Sequence, residues 1–216
     1  IIGKHIFGLT MDFQNDPILV NNRSVIHDQA DQTVDISIQG TRFSVASFTQ
    51  DIGSVYLTRT ERKSGQGINT MPVDSAPVHG ITRPTGGFAT SWGTLLYGET
   101  YPINAAKPDD FIDRFKPYFK NRQDMVNPYH YGWVFEAVVL DDQGNSKLIK
   151  NYAAGRVFAS HFLTMPDGKT TYLLDATHSG NLYAFVAKEA NSMSSGSLYV
   201  ANAVGNVLQF QLLGQT

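Results

Sequence analysis

The chain has 216 residues and a formal net charge of −2 at pH 7, with 42% hydrophobic, 17% charged and 12% aromatic residues and no cysteine. At roughly 100–200 residues per domain this is one domain, residues 1–216, with enough apolar material for a real core. The near-neutral balance gives no electrostatic case for nucleic acid, no apolar run reaches the ~20 residues of a membrane span, and without cysteine there are no disulfides, thiolate nucleophiles or thiolate metal sites.

Sparse charge with abundant Tyr, Phe, Thr and Gly favours strands over helices. The chain opens "IIGKHIF" without Met, which reads as a processed product or a fragment. "ILVNN" (18–22) is a short strand ending in an Asn pair. "TVDISIQG" (33–40) alternates Val34, Ile36 and Ile38 against polar neighbours, and "TRFSVASF" (41–48) puts Phe43, Val45 and Ser47 on one face. "SVYLTRTE" (54–61) runs into the turn "RKSGQG". Alternation of this kind marks half-buried strands.

The stretch "TGGFATSWGTLLYGET" (85–100) reads as a Gly-rich loop, a Trp-Gly corner and a short apolar strand delivering Glu99, one of only four glutamates. "KPDDFIDRFKPYFKNRQDM" (107–125) breaks the β pattern. Phe111, Phe115 and Phe119 stand at helical spacing, Asp109 and Asp110 follow Pro108 in a first turn, and Pro117 limits the element. It is expected to be one short helical excursion near 108–121.

The second half alternates strands and turns more regularly: "GWVFEAVVL", the turn "DDQGN" (141–145), "SKLIKNYA"; then "VFASHFLTM", "PDG", "TTYLLDA"; then "THSGN", "LYAFVAK"; then "SLYVANA", "VGN", "VLQFQLL". Turn signals every 8–12 residues point to an all-β sandwich, barrel or propeller.

Among chemical groups, Glu136 stands out. Its neighbours on the same strand face are Val134 and Val138, and a carboxylate between valines is costly to bury unless it is paired or bound to a cation. The six histidines form no H-x-x-H, H-E-x-x-H or H-x-H pattern, which disfavours zinc. His161 reads as a satisfied core or interface histidine and His178 as a turn residue. No nucleophile elbow, P-loop or dinucleotide fingerprint is present. "MDFQND" (11–16) and "LDDQGN" (140–145) cluster oxygen ligands of the kind calcium takes, but neither matches an EF-hand loop and the second is also an ordinary hairpin tip.

Several stretches together resemble a known family. "TSWGTLLYGET" is similar to the T-P-W-G-T-x-L-x-C-E-E signature of PhoX-type alkaline phosphatases, "YGWVFE" to their Y-G-W-x-x-E, and "AGRVFAS" falls where they carry G-R-F-x-H-E. "YLLDATHSGNLYAFVA", "GSLYVAN" and "PILVNNRS" resemble three further family segments. The matches keep their order from about residue 9 to about residue 213.

The resemblance implies a secreted, periplasmic or cell-surface β-propeller, or part-propeller, of four-stranded antiparallel blades. Carboxylates there hold calcium and iron for phosphomonoester hydrolysis. It makes Glu99, Glu136 and Asp175 the expected metal ligands and Arg156 the expected phosphate partner. The chain departs from the pattern at several ligand positions. Thr85 replaces the family cysteine, Arg23 and Ser24 a His-Glu pair, Ala159 and Ser160 a second His-Glu pair, Thr100 a glutamate and Ala176 an aspartate. Three carboxylates could still hold one calcium but fall short of a multinuclear iron–calcium centre. The expectation is therefore a catalytically degenerate propeller that binds calcium or a partner chain. Open strand edges would offer a route to another protein or to self-association. The alternative is an active metal-dependent phosphatase acting on a phosphate ester.

Overall fold

The computed structural model describes residues 5–61, 63–100, 103–175 and 180–216. A two-stranded ribbon, β1 (Leu19–Val20) and β2 (Arg23–Ser24), precedes three antiparallel sheets, each built from strands consecutive in the chain. The first sheet holds β3 (Gln32–Ile38), β4 (Thr41–Phe48), β5 (Ser54–Thr60) and β6 (Gly67–Pro72). The second holds β7 (Pro84–Ala89), β8 (Leu95–Glu99), β9 (Val134–Val139) and β10 (Ser146–Lys150). The third holds β11 (Ala159–Thr164), β12 (Thr170–Asp175), β13 (Leu182–Ala187), β14 (Gly196–Val204) and β15 (Val207–Gln215). Among the described residues no helix is long and apolar enough to cross a membrane.

The sheets stack in chain order because each strand's alternation supplies two faces. Phe43, Val45 and Leu57 of the first sheet meet Leu95, Tyr97 and Phe135 of the second in one core. Leu96 and Val134, on the opposite face of the second sheet, meet Phe162, Leu173 and Phe185 of the third in another. The all-β expectation thus holds as antiparallel sheets with one short helix, and no closed barrel or propeller is formed among the described residues.

The helical excursion lies where the sequence places it. Helix α1 (Asp109–Phe115) starts after Pro108 with Asp109 and Asp110 in its first turn, where acidic groups meet the positive end of the helix dipole. Pro117 then sits at the start of a 3-10 turn, Lys116–Phe119, a position whose N–H has no helical acceptor to lose. Phe111, Phe115 and Phe119 form a separate aromatic cluster with Tyr118 and Tyr131, the Phe115 and Tyr131 rings 4.5 Å apart.

One local expectation is corrected. The Gly-rich stretch from residue 85 is not a loop but most of strand β7, with an irregularity in its pairing to β8 between Gly86 and Phe88. The glycines are needed there. Both adopt positive φ (120° and 91°), and a Cβ on Gly87 would lie 3.1 Å from the Tyr97 ring. The "THSGN" turn, with His178, falls largely on residues 176–179, outside the described residues.

The two end faces of the stack differ in chemistry. The outward face of the first sheet carries Thr33, Ser44, Thr60 and a hydroxyl pair, Thr58 and Thr70, 2.7 Å apart. Its apolar end, Ala46, Phe48 and Tyr56, is covered by Phe7 and Ala30. The outward face of the third sheet is apolar and uncovered: Leu163 is 61% exposed, Leu174 46%, Phe210 40% and Leu212 49%.

Candidate functional site

Glu99 ends β8 on the same face as Leu95 and Tyr97, which carries it into the interior, where it is fully buried. Its carboxylate is completely engaged. Oε1 accepts from the Thr82 amide at 3.0 Å, and Oε2 accepts from the amides of Gly132 and Trp133 at 2.7 and 3.1 Å. The compensating cation is Lys150, at the end of β10, whose Nζ lies 3.2 Å from Oε1 with both side chains out of solvent.

Lys150 Nζ also donates to the carbonyls of Gly80 (3.0 Å) and His130 (2.6 Å) and sits 4.6 Å from the centre of the Tyr131 ring. Burial pulls the Lys150 pKa below the usual lysine range, against the opposing pull of Glu99. The arrangement ties together the 80–82 loop, the 130–133 loop and two strands of the second sheet. The Tyr131 hydroxyl completes it by donating to the His79 carbonyl at 2.7 Å.

Beside this pair, the His79 and His130 rings stack 4.0 Å apart. His130 Nδ1 is buried without a hydrogen-bond partner. Burial, then the charges of His79 and Lys150, hold the His130 pKa below its ordinary value near 6.5. On acidification the unfolded chain takes up this proton first, so stability falls as pH drops below about 6.5. The melting temperature of wild type should fall between pH 7.5 and 5 more steeply than that of His130→Asn. Identical slopes would remove His130 from the account.

Arg156, the expected phosphate partner, is spoken for by backbone. Its Nε donates to Tyr131 O at 2.8 Å and its Nη2 to the carbonyls of Ile103 and Pro128, both at 3.3 Å. Burial lowers its pKa, opposed by Glu99.

Glu136 lies on the other side of the second sheet. It pairs across from Leu96 and packs at the interface with the third sheet. The expected cost of a carboxylate on an apolar face is met by neutral donors: Trp92 Nε1 at 2.8 Å and the Thr94 hydroxyl. The Trp-Gly corner therefore serves Glu136, not Glu99. Asp175 ends β12, half-buried, its amide donating to Asn181 O at 3.0 Å.

Strand alternation thus sends Glu99 and Glu136 to opposite faces of one sheet. They do not converge on a shared ion. Among the described residues no group of three or more His, Cys, Asp or Glu side chains is placed to hold a metal, so the residues present do not fit the calcium–iron cluster that the resemblance implies.

The two oxygen-rich loops are also internally satisfied. Asp12 Oδ1 accepts the amides of Gln14 (2.8 Å) and Asp16 (3.0 Å), and Lys120 Nζ stands 2.8 Å from Asp16 and 3.5 Å from Asp12. Asp141 Oδ1 accepts from the amides of Gln143 and Asn145, both at 3.0 Å, at the tip of the β9–β10 hairpin. The second is the hairpin turn that its sequence spells.

Lys150 escaped the sequence reading, although the signal was available. In "SKLIK" it shares a face with the buried Leu148, as Glu136 does with Val134. An apolar cleft is likewise a feature the motifs did not mark. It is a cleft of about 540 Å³ on the outer face of the third sheet, between Phe88, Leu163 and Leu174 on one side and Leu208 and Phe210 of β15 on the other. His161, expected in a core or interface, is exposed on the wall of this cleft, with its Nδ1 2.9 Å from the Ser160 hydroxyl and its ring 5.3 Å from Phe88. A scan of protein-family models, a search of curated proteins and a search of solved structures each return no match for this chain.

Proposed function

We propose that this chain is a catalytically degenerate relative of the PhoX-type β-propellers that acts by recognising another polypeptide, with its stacked sheets as consecutive blades of an open or part-propeller. One observation carries the loss of catalysis: the cation beside Glu99 is the protein's own Lys150 ammonium, 3.2 Å away and out of solvent. A carboxylate already holding an ammonium and three amides has little left to offer calcium. Glu136 is committed to Trp92 and Thr94, and Arg156 to carbonyls, so no phosphate clamp is free among them.

What remains accessible is the apolar outer face of the third sheet, and contiguous apolar surface of this kind marks interaction sites. The reading implies a secreted setting, as the resemblance does. It is tested by assaying the purified chain on p-nitrophenyl phosphate with and without calcium, alongside calcium titration calorimetry. We expect neither turnover nor calcium uptake. Turnover that disappears in Glu136→Gln would restore the metal-dependent phosphatase.

A further inference from the structure

We infer that the outer face of the third sheet packs on the same face of a second copy of this chain, as a two-fold dimer. The inference rests on reading that face as the recognition surface. It adds the identity of the partner.

Continuity with the two internal interfaces comes first. Each sheet boundary inside the molecule is an apolar face on an apolar face. The outward positions of the third sheet repeat that character, with Leu163 on β11, Tyr172 and Leu174 on β12, Val186 on β13, Tyr199 on β14 and Phe210 on β15.

The asymmetry of the ends then selects the geometry. Head-to-tail stacking would press this face on the outward face of the first sheet, where the exposed Asp35 and Arg42 stand beside Ser44, and would bury charges against hydrocarbon. Joining like face to like face covers both apolar surfaces at once and closes the assembly.

Charge is permissive. The outward positions of β11 to β15 carry no Asp, Glu, Lys or Arg among the described residues, so two copies of the face do not repel each other. A net charge of −2 adds little long-range repulsion.

The area suffices. At about 4.8 Å between strands and 3.4 Å per residue, five strands of about six residues project ~490 Å² per copy. Two copies therefore approach ~1,000 Å² before the corrugation of side chains is counted, the threshold for a specific interface.

The test is sedimentation equilibrium of the purified chain from low to high micromolar concentration. Wild type, Leu174→Glu, Phe210→Glu and the first-sheet control Thr33→Lys are compared, with circular dichroism confirming the fold of each. The substituted positions point outward and are exposed, so folding should survive. We expect a wild-type mass near twice 23.8 kDa, at least about tenfold weaker association in each Glu variant, and no change in the control. A dimer indifferent to both Glu variants would overturn the proposal. A wild-type monomer at every concentration would overturn it too, and an apolar fluorescent probe (anilinonaphthalene sulfonate) then separates the two ideas. Probe binding lost in Leu174→Glu would leave the face as the recognition surface for a different polypeptide. No probe binding would remove that reading as well.

Discussion

Replacing Lys150 by methionine lowers the free energy of unfolding by about 3–5 kcal/mol. Methionine keeps the stem that packs beside Tyr131 but removes the ammonium that contacts Glu99. The carboxylate then keeps three amides but no cation in contact, in a site without solvent. The Gly80 and His130 carbonyls lose their donor as well. The loss is a property of the broken pair and not a measure of what the intact pair adds, because burying two charges costs much of what their attraction returns. Pairing Lys150→Met with Glu99→Gln should therefore recover part of the stability. A urea series on the two single variants and the double variant reads this directly. If Lys150→Met costs less than about 1 kcal/mol, the pair is not the tie that its geometry describes.

Gly98→Ala should be comparably severe, at about 3 kcal/mol or more, although it adds a single methyl group. Gly98 lies on β8 on the side facing the third sheet. An ideal Cβ there falls 1.7 Å from the Ala159 carbonyl oxygen and 2.8 Å from its carbon. Backbone meets backbone at this point, so no side-chain rotation relieves the clash and the second and third sheets must separate locally. Thermal unfolding compared with Gly93→Ala calibrates the effect, since a Cβ on Gly93 meets nothing within 4 Å. Its positive φ of 85° carries only the usual backbone strain. Equal losses at the two sites would mean that the close approach is tolerated.

These two sites show where the sequence speaks and where it is silent. Strand positions were legible because alternation and turn chemistry are local: β9 and the "DDQGN" turn fall as read, and β10 starts as read but stops at Lys150, where "NYA" turns into a 3-10 segment, Tyr152–Ala154. The helix was legible for the same reason, through its acidic first turn and Pro117. Strand β7 was not, because Gly86 and Gly87 look like a loop until Tyr97 is placed against them.

The chemistry was only half legible. Glu136 announced that it needed a partner, but the partners, Trp92 and Thr94, lie more than forty positions away. The expected grouping of Glu99 with Glu136 failed on a non-local fact: the pairing register that sends the two residues to opposite faces of one sheet.

The connection between β8 and β9 has a kinetic consequence. Every other neighbouring pair of strands within the three main sheets is joined by a short link, so those hairpins zip from nearby residues. The β8–β9 ladder must instead wait until residues 100–133 have folded back, and ordering such a stretch precedes any reward from the contacts it closes. The central layer is thus the slowest to complete, while the layers on either side can already be formed. During that interval both flanking layers expose the apolar faces later sealed against it. That is the window in which a nascent chain is most vulnerable to aggregation.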